Sequence, residues 1–400
     1  MSSLKYWVWL STCKGIGLIR TKELLEHFGT PENIFHAGRR DFLDISGIRQ
    51  KEVEQLMSKD MSHVNEILTA CNVTGCRMIT LFDSQYPDRL RNIYDPPPVL
   101  YVKGNLPYID EEPVVGVVGT RKCTPYGLTV AENVGYALSQ KGVIVVTGLA
   151  LGVDTAATCG ALKGGTPTVG IIGSGLDIVY PPENKRFFAD VAGAGAIISE
   201  YPPGTPPKRA HFPSRNRLIS GISLGVAVIE SPRKSGALIT AARALEQGRD
   251  VFALPGNVDA VSCEGSNALL REGAIPFMSA ADIIDEYSEL YPDRLQVIKA
   301  ASSKKNKRIK DGELKKPIDN TPKVDYIGLV NLLGKLDGDE QNIARSIGLN
   351  SLSVDEIILD TGFPAQKVLA GLTMLELGGY IKYSENKKWE ISNPLISQKM

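Results

Sequence analysis

The 400-residue sequence contains no G-x-x-x-x-G-K-[ST] segment, so it has no loop of the kind that cradles ATP phosphates for hydrolysis. A complete G-x-G-x-x-G is also missing: Gly173 and Gly175 are followed by Ile178 where the third glycine should stand, and Gly116 and Gly119 are spaced wrongly. That argues against a nicotinamide enzyme. Histidine is scarce, and its four copies (27, 36, 63 and 211) do not cluster with cysteines or carboxylates at metal-ligand spacing. The six cysteines are scattered, and the closest pair, Cys71 and Cys76, lacks the C-x-x-C spacing of a redox or zinc site. Reduced, buried thiols are expected. The apolar run near the start, Tyr6–Leu10, is too short for a signal peptide or a membrane span, which places the chain in the cytoplasm with no membrane partner. Net charge is absent as well. The 45 basic and 45 acidic side chains cancel, so any site for a polyanion must be local.

With 43% hydrophobic residues, the chain can build more than one core. Residues 1–75 read as short helices broken at Gly15, Gly17, Gly29 and Gly47, a small helical domain. A proline-rich stretch, QYPDRLRNIYDPPPVLYVKG, excludes helix and leads into a main domain over 76–290. There the runs VVGVVG, VIVVTG, TVGIIG, AIISE, LGVAVIE and DVFALPG alternate with helical stretches. They are continuously apolar, as expected of parallel strands covered on both faces, and predict a doubly wound α/β sheet. Residues 291–323 read as a basic flexible linker, with eight basic and three acidic residues in 301–323. Residues 324–400 offer helical segments and then GYIKYSENKKWEIS, two β-prone runs about a polar turn, which suggests a winged helix.

Several strands of the main domain end in glycine- or hydroxyl-rich turns: Gly119-Thr120-Arg121, Thr147-Gly148-Leu149, Gly173-Ser174-Gly175, and Ser231 through Ser235-Gly236. In an open parallel sheet these ends share one rim, where backbone N–H groups and helix N-termini attract anions. Glycine is expected there because a missing Cβ lets backbone approach a phosphate. The segment TPPKRAHFPSRNR adds Lys208, Arg209, Arg215 and Arg217 with no acidic residue among them, and Arg233 and Lys234 sit on the fifth strand-end loop. His211 lies near these cations and reads as a further donor to phosphate. Phe212 and Tyr180 are candidates to stack on unpaired bases. Each of these residues also has a plain structural use, in a tight turn, a salt bridge or core packing.

The segments GTRKCTPYG, TGLALGVDTAA, GSGLDIVYPPENKR, SEYPPGTPPKRAHFPSRNRLISG, ESPRKSGALITAARALEQGRDVFALPG and EGSNALLREGA run in order from Gly119 to Ala274. In order and spacing they resemble the DprA/Smf family of DNA-processing proteins. The resemblance implies an extended Rossmann-like fold that holds single-stranded DNA, forms a homodimer, and loads a RecA-type recombinase onto incoming DNA during natural transformation. No cofactor and no catalysis are expected. It places DNA contacts on Arg121, Arg209 and Lys234, and puts Arg215 and Asn216 in the family's Pro-x-Arg-Asn-Arg motif. The chain departs from the family where a lysine follows the Tyr-Pro pair; here Pro182 stands, with Lys185 nearest. The expected DNA-binding set is therefore Gly119, Thr120, Arg121, Gly148, Gly173, Ser174, Gly175, Asn184, Lys185, Lys208, Arg209, Phe212, Arg215, Asn216, Arg217, Arg233, Lys234, Ser235 and Gly236.

The alternative is a nucleotide-handling enzyme on the same scaffold, like the LOG-type phosphoribohydrolases. Their P-G-G-x-G-T-x-x-E signature would fall near Ser231–Ala242, where SPRKSGALITAA lacks the double glycine and the catalytic glutamate. In the flanks, LSTCKGIGLIRTKELLEHFG resembles a helix-hairpin-helix, but nine basic and nine acidic residues over 1–70 give it no electrostatic bias toward DNA. The winged-helix segment is acidic, seven basic against ten acidic residues over 324–400. Its expected recognition helix, 364–377, bears one lysine and one glutamate, which suits a protein contact or a duplex-sensing accessory role better than groove reading.

Overall fold

A computed structural model describes residues 3–295, 338–347, 352–384 and 388–391. The expected basic linker lies outside the described residues from 296 onward. The chain divides into two compact units, Met1–Lys305 and Asn306–Met400.

The first unit opens with six helices: α1 (Leu4–Thr12), α2 (Leu18–Phe28), α3 (Pro31–His36), α4 (Arg39–Leu43), α5 (Gln50–Ser58) and α6 (Ser62–Thr74). Gly15 (φ +80°) turns the chain between α1 and α2, and Gly47 (φ +71°) turns it between α4 and α5, both in the left-handed region that glycine adopts without Cβ strain. Arg20 of α2 clamps the second hairpin by donating to the carbonyls of Ser46 (3.4 Å) and Gly47 (2.7 Å). These helices have no core of their own. Trp7, Val8, Trp9 and Leu10 are buried in the same apolar cluster as the adjoining strands, so packing runs continuously across residue 75.

The sheet has nine strands in the order β1 (Arg77–Thr80), β2 (Val99–Gly104), β6 (Ala196–Ser199), β5 (Thr168–Ile172), β4 (Ile144–Thr147), β3 (Val114–Val118), β7 (Gly225–Val228), β8 (Asp250–Ala253) and β9 (Ile275–Pro276). From β6 to β9 every pairing is parallel, whereas β2 is antiparallel to both β6 and β1. The connecting helices are α7 (Asp88–Arg91), α8 (Pro125–Gln140), α9 (Val153–Gly164), α10 (Lys185–Ala194), α11 (His211–Ile222), α12 (Gly236–Glu246), α13 (Glu264–Arg271) and α14 (Ala280–Tyr287). Alternate residues of β3 face opposite layers: Val115 and Val117 pack with α8, α9 and α14, while Val114 and Val118 belong to the layer containing α11 and α12. Both faces are covered, which is why the strand reads as an unbroken apolar run.

The chain winds from β3 outward through β4 and β5 to β6, then returns by α11 to β7 on the other side of β3. The order therefore reverses between β3 and β7. At such a switch point the loops leaving two neighbouring strands part company and leave a crevice at their carboxyl ends.

The second unit has three described helices, α15 (Gly338–Ile347), α16 (Val354–Thr361) and α17 (Ala365–Leu377), and a two-stranded wing, β10 (Ile381–Tyr383) with β11 (Trp389–Ile391). Its own core gathers Ile343, Ile347, Ile357, Val368, Leu372, Leu375 and Ile381. On α17 the exposed Lys367 is paired with Asp339 at 2.9 Å, and Leu369, Met374 and Leu377 are exposed as well. No described helix is long and apolar enough to cross a membrane.

Candidate nucleic-acid interface

The switch point carries a cleft of about 430 Å³ lined by Val118–Lys122 after β3, Asp154 of α9, Phe212, Arg215 and Asn216 of α11, and Ser235–Ala237 opening α12. The N-terminus of α12 enters the lining, and the loop after β3 leads from the lining into that of α8. Thr124 caps α8 by accepting from the Gly127 amide (3.1 Å), with Pro125 at the first helical position, and Ser235 caps α12 by accepting from the Ala237 amide (3.2 Å). Gly236 is exposed, with nothing within 4 Å of where a Cβ would stand, so backbone approach by a ligand is open there.

The other rim glycines serve a different purpose from the one their sequence suggests. A Cβ on Gly119 would stand 2.5 Å from Val153 and 2.7 Å from the Ile229 carbonyl, and one on Gly148 would meet the Arg215 guanidinium at 2.6 Å. A Cβ on Gly175 would meet Asp177 at 2.6 Å and the Pro202 carbonyl at 2.8 Å. Close internal packing, rather than access for phosphate, requires glycine at these three positions. The Gly173-Ser174-Gly175 turn also lies apart from the cleft lining. Ser174 is buried, its hydroxyl donating to the Ile178 carbonyl (3.2 Å), and the Gly173 carbonyl faces the Nδ1 of His211 (3.1 Å). A carbonyl only accepts, so His211 carries its proton on Nδ1; its ring stacks on Tyr201 with centroids 4.0 Å apart.

The cations divide into two groups. Arg121, Lys185, Lys208, Arg209, Arg233 and Lys234 are exposed, as is Lys122, and none of them is ion-paired among the described residues. The Arg121 guanidinium lies 5.4 Å from the centroid of the Phe212 ring, which is itself 5.5 Å from the half-exposed Tyr180 ring, making a cation and two aromatic faces in a row. Arg233 faces a neighbouring groove that it shares with Arg271 and Glu264. Arg215 and Arg217, by contrast, are buried at 4% and 3% exposure. Arg217 pairs with Asp95 (3.1 Å) and with Glu200, so it is no free phosphate ligand. Arg215 donates to the Gly148 carbonyl (2.8 Å) and to that of Ile171, tying the carboxyl ends of β4 and β5 together. Asn184 is buried too, donating to the Leu149 carbonyl and the Thr155 hydroxyl, both at 3.0 Å. Asn216 donates to the Gly236 carbonyl (3.1 Å) and fixes the start of α12 against α11.

Two acidic residues that the sequence did not single out complete the site. Asp154 accepts from the amides of Gly148 (3.0 Å) and Ala150 (3.4 Å) beneath the cleft. Burial pushes its carboxyl up to about 6 in spite of the attraction of Arg215, and burial likewise lowers Arg215 to about 10. Glu230, 2% exposed, follows β7 and takes hydrogen bonds from the loop that carries Arg121. Because the Asp154 carboxyl binds its proton more readily in the folded than in the unfolded chain, folding gains stability as pH falls through about 6 and loses it as pH rises. Urea unfolding of wild type and Asp154→Asn at a series of pH values from 7 to 5 should show the wild type gaining on the variant; parallel curves would remove Asp154 as the source.

A family model described as DNA recombination-mediator protein A matches residues 77–288, and one for the DprA winged helix domain matches residues 332–384. Protein Smf of Synechocystis sp. is 31% identical over 405 residues, covering 97% of this chain and 99% of the relative. The chain belongs to the DprA/Smf family. Among solved structures, DNA processing protein A (DprA) from Streptococcus pneumoniae superposes with a TM-score of 0.63 at 35% identity, covering 70% of this chain and 97% of that one. DNA processing protein A of Helicobacter pylori, whose structure is described for its single-stranded DNA binding mode, matches at 30% identity and a TM-score of 0.49 over 54% of this chain and 97% of that one. The DprA/Smf match includes both the switch-point loops and the cationic segment leading into α11. Among the described residues, no group of three or more His, Cys, Asp or Glu side chains could hold a metal ion.

Proposed function

We propose that this DprA/Smf protein binds single-stranded DNA along the carboxyl rim of its sheet and acts there as a recombination mediator, not as an enzyme. The observation that carries the reading is the row Arg121–Phe212–Tyr180 beside the cleft, with exposed Lys122 in the lining and exposed Lys208, Arg209 and Lys234 on the segments that lead into α11 and α12. Unpaired cations on a loop rim suit phosphates, and the exposed Tyr180 ring beside the half-buried Phe212 suits bases that are not already stacked in a duplex, at about 1–3 kcal/mol per base.

Catalysis has little support from the lining. Asp154 is the one carboxylate residue there among the described residues, and its Oδ2 is committed to two backbone amides. His211 is held by the Gly173 carbonyl and by Tyr201. His211 is not among the residues that line the cleft. The family supports the wider role: a homodimer in the cytoplasm that protects incoming DNA and loads a RecA-type recombinase during natural transformation.

Binding of labelled single-stranded and duplex DNA of one sequence, followed over a salt series, tests the reading. Single strands should win, with little dependence on sequence and a log–log slope of about −0.7 per phosphate neutralised. Equal affinity for duplex would overturn it.

A further inference from the structure

Glu230 stands two residues beyond β7 and is bonded to the loop that lines a cleft whose exposed charges are positive, and a carboxylate placed there repels a phosphate ligand. Its position is nevertheless tightly determined. It accepts from the Thr124 amide (2.8 Å) and the Thr124 hydroxyl (2.5 Å), while its own carbonyl accepts from the Thr120 amide (2.9 Å). These bonds grip both ends of the loop on which Arg121 sits. The backbone of Glu230 is held at φ +34°, a region that costs a residue with a Cβ about 1–3 kcal/mol and persists only where its surroundings impose it. Space for the carboxylate comes from Gly127, where a Cβ would stand 2.6 Å from it.

We propose that Glu230 is a positioning residue for single-strand binding: it touches no DNA, and acts by fixing the 120–124 loop so that Arg121 is presented to phosphate already ordered. The proposal rests on the single-strand reading of the cleft. An ordered donor spares the ligand the entropy of immobilising it, so releasing the loop should weaken binding even though a negative charge has been removed. A purely electrostatic role for Glu230 gives the opposite sign.

The test is single-strand affinity of the full chain for Glu230→Gly, Glu230→Gln, Arg121→Ala and Arg121→Ala/Glu230→Gly, with a melting curve for each. Glycine accepts the positive φ and deletes only the side chain. Glu230→Gly should bind about three- to tenfold more weakly, the factor for re-ordering one or two side chains. Glu230→Gln, which keeps the reach and can still accept from the Thr124 amide while its NH2 donates to the Thr124 hydroxyl, should recover most of the loss. In the Arg121→Ala background, Glu230→Gly should cost less than about twofold, since the group it positions has gone. Tighter binding by Glu230→Gly, unchanged binding, or an undiminished loss in the Arg121→Ala background would each overturn the proposal. If Arg121→Ala weakens binding and Glu230→Gly does not, the positioning role alone falls; if Arg121→Ala binds like wild type, the reading of the cleft falls with it. Should Glu230→Gly fail to fold, Gly127→Ala displaces the carboxylate with the charge retained, and its affinity is held to the same criteria.

Discussion

Arg121→Ala should weaken single-strand binding by about 1.5–3 kcal/mol, roughly one to two orders of magnitude, the range for hydrogen bonds to charged groups. The residue is exposed, unpaired among the described residues, and follows Gly119-Thr120 at the carboxyl end of β3, where its guanidinium borders the cleft. Its fork of donors can hold a phosphate by two parallel charge-assisted bonds. Arg121→Lys keeps the charge and loses the fork, so it should recover only part of the affinity. The salt slope should fall by about the contribution of one phosphate. The competing use of Arg121 is its stacking on Phe212, worth about 0.5–1 kcal/mol at an exposed site. That contact would appear as a lowered melting temperature. Fluorescence anisotropy and thermal unfolding on the same variant separate the two, and unchanged affinity would remove Arg121 from the site.

The sheet was legible because its strands are buried on both faces and read as unbroken apolar runs; VVGVV lacks the apolar–polar alternation of a strand with one face in water. The wing was legible too, since GYIKYSENKKWEIS carries its turn within it. The small helical domain was a different matter. Helix periodicity marks the face that is buried but not what covers it, and α1 buries Trp7 and Trp9 in a core shared with the sheet. The cationic segment misled for a related reason. TPPKRAHFPSRNR holds no acid, yet Arg217 finds Asp95 and Glu200 from outside it, and Arg215 and Arg217 fall within a stretch of α11 that is buried throughout. Charge counted along the chain cannot detect a partner delivered by the fold. Asp154 and Glu230 lie within the segments TGLALGVDTAA and ESPRKSGALITAARALEQGRDVFALPG, but neither carries the positive charge by which the binding residues were sought. For Glu230 a signal did exist: a carboxylate directly after the run LGVAVI, at the rim where an open sheet binds its ligands.

Arg215 marks the difference between the two groups of cations, and its replacement tests that division. Arg215→Met keeps an apolar stem of similar length but leaves the Gly148 and Ile171 carbonyls without their donor and Asp154 without its counter-cation. Breaking a buried pair by removing one partner costs about 3–5 kcal/mol, because the remaining charge stays in a poorly solvated place. Urea unfolding of Arg215→Met should show that loss. Part of it should return in Arg215→Met/Asp154→Asn, where no uncompensated charge is left to bury. A phosphate contact behaves otherwise: stability stays near the wild-type value while single-strand affinity and salt slope drop, as for Arg121→Ala. If Arg215→Met unfolds at the wild-type urea midpoint and binds single strands poorly, the Pro-x-Arg-Asn-Arg motif contacts DNA through Arg215, and the assignment of this guanidinium to the junction of β4 and β5 is wrong. If stability falls and the double variant regains part of it, Arg215 holds the floor of the cleft on which the exposed cations stand.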